Sequence, residues 1–454
     1  MENYKLNIRE YISKKISSNY WKFLILIFGI VFTIAPGDYY NNAIDRSIVL
    51  HNILLKGIIF NEHFFSIFDI LIILISIKII RDFGLSLKSA KSGEKLIFFF
   101  SILCFIFLMI NPNNSTSNPV LGMPLFSDVS NYSHLIFLTA IFFVKFDDAF
   151  IIFFKKFTKA VLILILIWSF YLLILWLMGR GNFGFFGVNS ILTEDDTLFI
   201  IGFAQIVFLA LYLIKKEKYL LISSIFLFIV QVLSFRRSGL FVAILASSTL
   251  LLIYYVKYIS TTKKITTFVL AAITGLSLSG IIFNYNPTSN VQFYFYRFFG
   301  MFLQNSGTTE IDSDSGHFAH SQWVFDEAVN RLGFWGLGYS DDTGSIVYQA
   351  GIHGVHNAYV AMWLYRGLMG LALILVIIGV FVIQIIRTVI SRNKYPPDFL
   401  LIRSAVISFF LYFLVSIFYL SVHHLIDIRE IVLRTLIIAF LYKVTPDNYK
   451  LLID

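Results

Sequence analysis

The sequence predicts an all-α polytopic integral membrane protein with about twelve transmembrane helices. Composition, the length of the apolar runs and the placement of charge predict it together. Of 454 residues, 58% are hydrophobic and 14% charged, against about 45–50% and roughly 25% in soluble globular chains. The apolar residues fall in long runs rather than in alternation, and a helix needs about 20 of them to cross a bilayer. With a mean hydropathy of +0.79, a soluble enzyme, a disordered chain and a secreted disulfide scaffold are excluded. Cys104 is the single cysteine, so no intrachain disulfide can form.

A basic stretch, residues 1–19, precedes the first apolar run at 20–36. That run reaches Ala35 without a small-residue cleavage site, so it is expected to remain as a span. The runs at 64–80, 96–111 and 129–145 follow, the middle one enclosing Cys104. Next come 159–178, 197–214, 219–235, 238–256 and 265–284, separated by short polar or basic turns. Residues 20–284 are thus expected to hold helices 1–9. One long polar segment, 285–356, precedes the runs at 357–386, 400–420 and 430–444, which supply helices 10–12 within 357–444. The last run is short and carries Arg434, and a short tail, 445–454, follows it. No repeat of about 20–50 residues is visible, which excludes a solenoid.

Topology explains the net charge of +9 better than nucleic-acid binding does. With the N-terminus in the cytoplasm, about 26 of the 36 Lys and Arg lie in cytoplasmic segments, as the positive-inside rule requires. An even number of spans then puts both termini in the cytoplasm. All 9 histidines, and the whole of 285–356, fall outside or at the outer ends of spans. A loop that long is functional or disordered, and Phe293, Tyr294, Phe298, Trp323 and Trp335 argue for packing. An amphipathic helix is expected over 320–332. Chemistry is therefore expected on the outer face.

Three outward arginines stand out because outward charge is scarce. Arg236 and Arg237 sit in S-F-R-R-S-G-L, a short turn between two spans, and Arg297 opens the long segment within R-F-F-G. Arginine forks bind phosphate bidentately, so a cluster at the outer membrane edge suits a lipid-linked phosphate or pyrophosphate. Snorkelling to lipid phosphates, or pairing with loop acids, explains the same residues, and for Arg236 it explains them better. The sequence G-V-H-N-A-Y puts His356 and Asn357 where the long segment re-enters the membrane. A histidine there can be a general base, a donor to phosphate or a neighbour of a helix cap; position alone favours the last.

Gly367 and Gly370, early in the tenth run, are expected to permit close helix packing. The pairs His317/His320 and His353/His356 lack a third ligand and helical i,i+4 spacing, so no metal is expected. The acidic run with Glu310, Asp312 and Asp314 reads as a solvated loop. No Walker P-loop, G-x-S-x-G or dinucleotide fingerprint occurs, and no cofactor is expected.

In their order these features resemble the bacterial O-antigen ligase/polymerase superfamily. An Arg-Ser-Gly turn at Arg237 is followed by two spans, a large outer segment, and His356-Asn357 at the next span. His356-Asn357, nine residues, then Gly367 and Gly370 fit the ligases' H-[NSQ]-x9-G-x-x-G, with Leu371 where ligases more often carry Thr or Val. The stretch from Asp314 to Gly338, D-S-G-H…W…A…G-x-G, looks like the superfamily's D-S-G-R…W…A…G-x-G, with His317 in place of the usual Arg. The resemblance covers about residues 195–375.

The resemblance implies a metal-independent glycosyltransferase of GT-C type in the bacterial inner membrane, its active site facing the periplasm. Its donor would be a glycan on undecaprenyl pyrophosphate. A polymerase passes the growing chain to a new lipid-linked repeat unit, building O-antigen or another surface polysaccharide; a ligase passes the finished chain to lipid A–core. Carried over residue by residue, Arg237 and Arg297 hold the donor pyrophosphate. His356 orients or deprotonates the acceptor hydroxyl, or donates to a pyrophosphate oxygen. Arg236, His317, Trp323, Arg331 and Asn357 are expected substrate contacts, Asn357 chiefly by fixing the backbone. Trp323 and Trp335 either stack on sugar rings or pack the loop. The lipid-linked glycan and the bilayer are the expected partners, a chain-length regulator and a flippase candidate ones, and nucleic acid is not expected.

Polymerase is the first reading, because His317 and Leu371 depart from the ligase pattern, and ligase is the second. From another class, twelve spans with both termini inside also fit a flippase for lipid-linked glycans. A transporter places ionisable groups near mid-membrane, at broken helices, whereas the span centres here are nearly free of charge.

Overall fold

The computed structural model of the chain describes residues 84–113, 140–144, 148–178, 182–183, 189–190, 195–234, 237–258, 334–338, 358–419 and 437–453, with Ile77, Ile80, Arg81 and Asp326 as single positions. Among them, helix dominates. The apolar runs at 20–36, 64–80 and 265–284 lie wholly or almost wholly outside the described residues, as does most of 129–145.

Helix α1 is Ser92–Ile110, with Glu94 closing its first turn by accepting the Lys91 N–H at 2.7 Å. It stops where Pro112 follows Asn111. The residue before a proline is pushed out of the α region, and Asn111 is extended, at φ −61° and ψ 116°. Helix α2, Asp148–Leu177, runs for 30 residues, starting well ahead of the predicted run at 159–178. The apolar residues before Lys155-Lys156 keep the helical register, so the basic pair is carried on the helix rather than in a loop. A two-residue antiparallel ribbon, β1 (Asn182–Phe183) with β2 (Asn189–Ser190), leads toward the next helices.

Helices α3 (Asp195–Lys215) and α4 (Lys218–Leu233) form a tight hairpin whose turn holds Lys216 at φ +59°. Helix α5, Arg237–Tyr258, packs with α3, and both pack on α7, Pro397–Tyr419, which starts on a proline at its first helical position. Helix α6, Ala358–Ile390, is broken at Gly367 and packs on α1 and α7. Residues 437–443 are helical, and a last short helix, α8 (Lys450–Ile453), meets α2.

The core is built from phenylalanine. Phe199, Phe409 and Phe410 are fully buried. Phe199 meets Phe413 edge-on at 4.7 Å between centroids, and Phe381 meets Phe410 at 4.6 Å. Ala204, Val242 and Ala246 let α3 and α5 come close. One polar contact ties three helices, with Gln205 Nε2 donating to Ser247 Oγ at 3.0 Å and Ser224 Oγ donating to the Gln205 carbonyl at 3.1 Å. Small and hydroxyl residues holding apolar helices together is the pattern of bilayer proteins.

Four described helices are long and apolar enough to cross a membrane: Ser92–Ile110, Phe150–Leu177, Met362–Ile390 and Pro397–Leu414. Three shorter apolar helices, Phe199–Lys215, Lys218–Leu233 and Val242–Val256, stand beside them. The first three long spans are only 28%, 33% and 39% buried, and they point Phe99, Met109, Ile167, Phe170, Leu375 and Ile383 outward. Large apolar side chains exposed in such number along long helices suit an apolar solvent. The protein is a helical membrane protein.

One end of the helices is tied by charge. Lys443 Nζ lies 3.1 Å from Glu94 Oε2 and donates to the carbonyls of Ser89 and, at 2.9 Å, Phe142. Arg403 spreads its fork over three partners: Nε to Thr388 Oγ1 at 2.7 Å, Nη1 to the Leu441 carbonyl at 2.8 Å, and Nη2 to Gln384 Oε1 at 2.7 Å. All three charged side chains are buried, where an unpartnered charge is costly. Their partners join α1, the 3-10 turn Ala140–Phe143, the end of α6, the start of α7 and residues 437–443. Lys88, Lys91, Lys95, Arg387, Arg392 and Lys394 cluster near this end, which is the basic end of the molecule.

Candidate functional site

At the opposite end the helices are tied by backbone. Gly367 has φ +57° and ψ −153°, a region that only glycine enters cheaply. A broken helix leaves N–H and C=O groups without intrahelical partners, and in lipid each such group costs several kcal/mol. Residues 334–338 supply the partners. The Leu368 N–H donates to the Phe334 carbonyl at 3.1 Å, and the Leu337 N–H donates to the Leu364 carbonyl at 2.8 Å.

This docking has no room for side chains. Gly336 is at φ +70°, and a Cβ there would lie 2.6 Å from the Gly367 nitrogen and 2.7 Å from the carbonyl oxygens of Leu364 and Trp363. A Cβ on Gly367 would in turn strike the backbone of Phe334, Trp335 and Gly336. The sequence reading of Gly367 as a site for close helix packing is therefore corrected: its partner is a loop backbone, and its missing side chain permits a break. Gly370 accepts the fold-back that follows. A Cβ there would lie 2.5 Å from the Met362 carbonyl oxygen, whereas eight residues of straight helix separate two atoms by about 12 Å.

The end of α1 completes the junction. Asn111 Nδ2 donates to the Trp335 carbonyl at 3.1 Å and Asn113 Nδ2 to the Gly336 carbonyl at 2.8 Å. Asn111 Oδ1 accepts the Asn113 N–H at 3.0 Å, an Asx turn across Pro112. Phe107 packs beneath, 4.8 Å from Trp335 and 5.4 Å from Phe334. Cys104 Sγ donates to the Met369 carbonyl at 3.0 Å. The Trp335 ring, set between Phe107 and Phe334, packs the junction, which is the second of the two roles its sequence position allowed.

The break lies at the helix ends rather than halfway along. The part of α6 after it, residues 368–390, is roughly 34 Å long at 1.5 Å per residue, more than the about 30 Å of bilayer hydrocarbon. The part before it, 358–366, folds back against the bundle, and Tyr359 donates to the Leu414 carbonyl near the end of α7 at 2.9 Å. Tyr359, Trp363 and Tyr365 give it the aromatic content of a helix at a membrane surface. Arg366, buried at the break, donates from Nη1 to Met362 Sδ at 2.9 Å.

Arg237 is the first residue of α5, described by its backbone alone. That start lies at the junction end. The last turns of α4 stand beside the first of α3, where Gln231 fills the space next to Gly202, Phe199 of α3 meets Phe413 of α7, and α7 reaches Tyr359. His356 and Asn357 directly precede Ala358, the first residue of α6. They lie outside the described residues, together with Arg236, Arg297, His317, Trp323 and Arg331. Among the described residues no cluster of His, Cys, Asp or Glu could hold a metal ion; all the histidines lie outside them.

Sequence reasoning missed Asn111, Asn113 and Arg366. The first two had a signal, an N-P-N run ending an apolar stretch, which puts two amides on either side of a forced turn. Arg366 had a clearer one, as the single charged residue within the run 357–386. Among its described residues the junction bears no acid–base pair, and its one thiol, Cys104, is buried and donates to a backbone carbonyl. Its chemistry is positional: it fixes two distant segments in one geometry at the break in α6. No family model matches the chain, and no curated protein matches it.

Proposed function

We propose that the protein is a membrane glycosyltransferase of GT-C type with about twelve spans, polymerising undecaprenyl-pyrophosphate-linked repeat units into surface polysaccharide at the outer face of the bacterial inner membrane. One observation supports this reading above the others. One glycine from each of the resemblance's two glycine motifs, Gly336 of G-x-G and Gly367 of G-x-x-G, comes from a segment about thirty residues from the other's, and the two meet backbone to backbone. Motifs that recur together in a family are explained by such a contact, because Gly336 and Gly367 each leave room for the other's backbone.

In the reaction, an acceptor hydroxyl attacks the anomeric carbon of the donor sugar. A new glycosidic C–O bond forms as the C–O bond to pyrophosphate breaks, and the leaving group departs with the bonding pair. Arg237 and Arg297 hold that pyrophosphate, because fixed guanidinium forks stabilise charge as it develops. His356 takes the hydroxyl proton or orients the hydroxyl, a role suited to a group that titrates near neutral pH. Arg236, His317, Trp323, Arg331 and Asn357 contact the glycan or shape its surroundings. The cleaved bond supplies the driving force, so neither nucleotide nor metal is called for.

The deciding experiment incubates purified protein with one lipid-linked repeat unit, without ATP or divalent metal, and reads the product on a gel. A ladder of lengthening glycans is the expected result. Transfer only after lipid A–core is added makes the enzyme a ligase instead. Arg237→Lys is expected to lose most of the ladder while keeping its charge, because the planar fork is gone; a normal ladder from that variant ends the pyrophosphate role.

One observation favours a second reading, a flippase for lipid-linked glycans. Transporters use broken helices, and α6 is broken beside the buried Arg366. The break, however, is about 34 Å above the far end of its helix, at a helix end rather than at mid-membrane. Surface chemistry therefore stays first.

A further inference from the structure

We propose that loop 84–91 and the outward face of α1 bind an anionic phospholipid. Lys88, Lys91 and Lys95 take the headgroup phosphate, and the apolar face beyond them takes an acyl chain. This site needs only that the helices lie in a bilayer, and it is independent of the glycosyltransferase reading.

The loop exposes the wrong residues for water. Leu85 and Leu87 are 57% and 75% exposed, yet neither lies in a helix, so the lipid face of a span does not account for them. The backbone that presents them is pinned. The Ser86 N–H donates to the Phe143 carbonyl at 2.7 Å, Leu85 forms a single antiparallel bridge with Val144, and Lys443 donates to the Ser89 carbonyl. Exposed leucines fixed among lysines are the make-up of a segment seated between headgroups and acyl chains.

Helix α1 continues the same surface. Its buried side, with Ile97, Cys104 and Leu108, packs toward α6. On the opposite side Lys91, Lys95, Phe99, Ile106 and Ile110 follow one another at helical spacing, all exposed. From Lys95 to Ile110 that face is about 22 Å long, more than the about 15 Å of hydrocarbon in one leaflet. Charge thus sits at the foot of an apolar face that an acyl chain can follow. No exposed acid balances it: Glu94 is the one carboxylate in 84–110, and it is buried and paired with Lys443 at 3.1 Å. Three lysines without an exposed acid among them favour an anionic headgroup over a zwitterionic one. Each lysine near an anionic surface strengthens binding about fivefold.

The test titrates the full chain in detergent with phosphatidylglycerol, phosphatidylcholine or inorganic phosphate. Native mass spectrometry counts the bound lipid, and thermal unfolding reads its effect. Wild type is expected to retain phosphatidylglycerol and to melt at a higher temperature with it, whereas phosphatidylcholine and phosphate do neither. The triple variant Lys88→Gln, Lys91→Gln, Lys95→Gln is expected to bind phosphatidylglycerol about 100-fold more weakly. A control that removes equal charge from the same end, Lys218→Gln, Arg392→Gln, Lys394→Gln, is expected to keep wild-type affinity. Leu85→Asn with Leu87→Asn is expected to weaken binding while the lipid-free protein melts as wild type does.

Equal losses in the two triple variants overturn the local site and leave a diffuse attraction of charge. Equal retention of phosphatidylcholine overturns the role of the three lysines in choosing the headgroup. Inorganic phosphate that stabilises as well as phosphatidylglycerol makes this a site for a free anion, which overturns the lipid. Unchanged binding in the leucine variant overturns the part given to the loop.

Discussion

Lys443 and Gly336 do comparable work at opposite ends of the helices, and by opposite means. At the basic end, Lys443 and Arg403 reach across several ångströms of side chain to carboxylate, hydroxyl, amide and carbonyl groups on four separate segments. At the junction end, two glycine backbones touch, and asparagine amides close over them. Long charged side chains can absorb a shift in helix position by changing rotamer. Backbone docked on backbone cannot. The difference assigns tolerance to one end and fixed geometry to the other, and fixed geometry is what the proposed group transfer requires.

The comparison breaks most sharply at the glycines. Gly336→Ala forces an L-residue to hold φ +70°, at about 1–2 kcal/mol, and also drives its Cβ into backbone atoms that have nowhere to move. The junction is expected to come apart, with activity abolished. Faster hydrogen exchange at Leu337 and Leu368, beside unchanged protection of α3 and α5, is the measurement; an intact junction in that variant would refute the account of Gly336.

At the basic end, Lys443→Met strands Glu94 as a buried charge and is expected to cost about 3–5 kcal/mol. Adding Glu94→Leu should return most of that loss, since a buried pair replaced by apolar groups is near neutral. Thermal unfolding in detergent reads both, and a double variant no better than the single one would mean that the pair is more than a tether. The smallest effect belongs to the interior. Ser247→Ala removes one interhelical bond to Gln205 and should cost about 0.6 kcal/mol, visible only in a careful melting series and without effect on the glycan ladder.

Much of the helical framework is legible in the chain. The runs at 197–214, 219–235, 238–256 and 400–420 reappear as α3, α4, α5 and α7 with ends moved by a few residues, because each is bounded by charge, a turn or a proline. The start of α2 was less legible: Lys155-Lys156 looked like the edge of a loop, yet it rides on a helix whose apolar residues continue past it. The run 357–386 concealed the break, since glycine in an apolar run is as compatible with close packing as with a kink. Of the expected site, Arg237 begins a helix at the junction end, and the remaining residues lie outside the described segments.

By itself the sequence determined that this is a membrane protein, where most of its described helices run, and which of their ends are rich in basic residues. Those are local quantities, since hydrophobic burial and charge placement sum over about 20 neighbouring residues. Only the tertiary structure decided that α6 breaks at Gly367, that Asn113 closes over a carbonyl 223 positions away, and that Lys443 reaches one 354 positions away. The reason is that an unpaired backbone group or a buried charge demands a partner without specifying which. Which segment arrives to satisfy it is settled by the packing of the whole bundle.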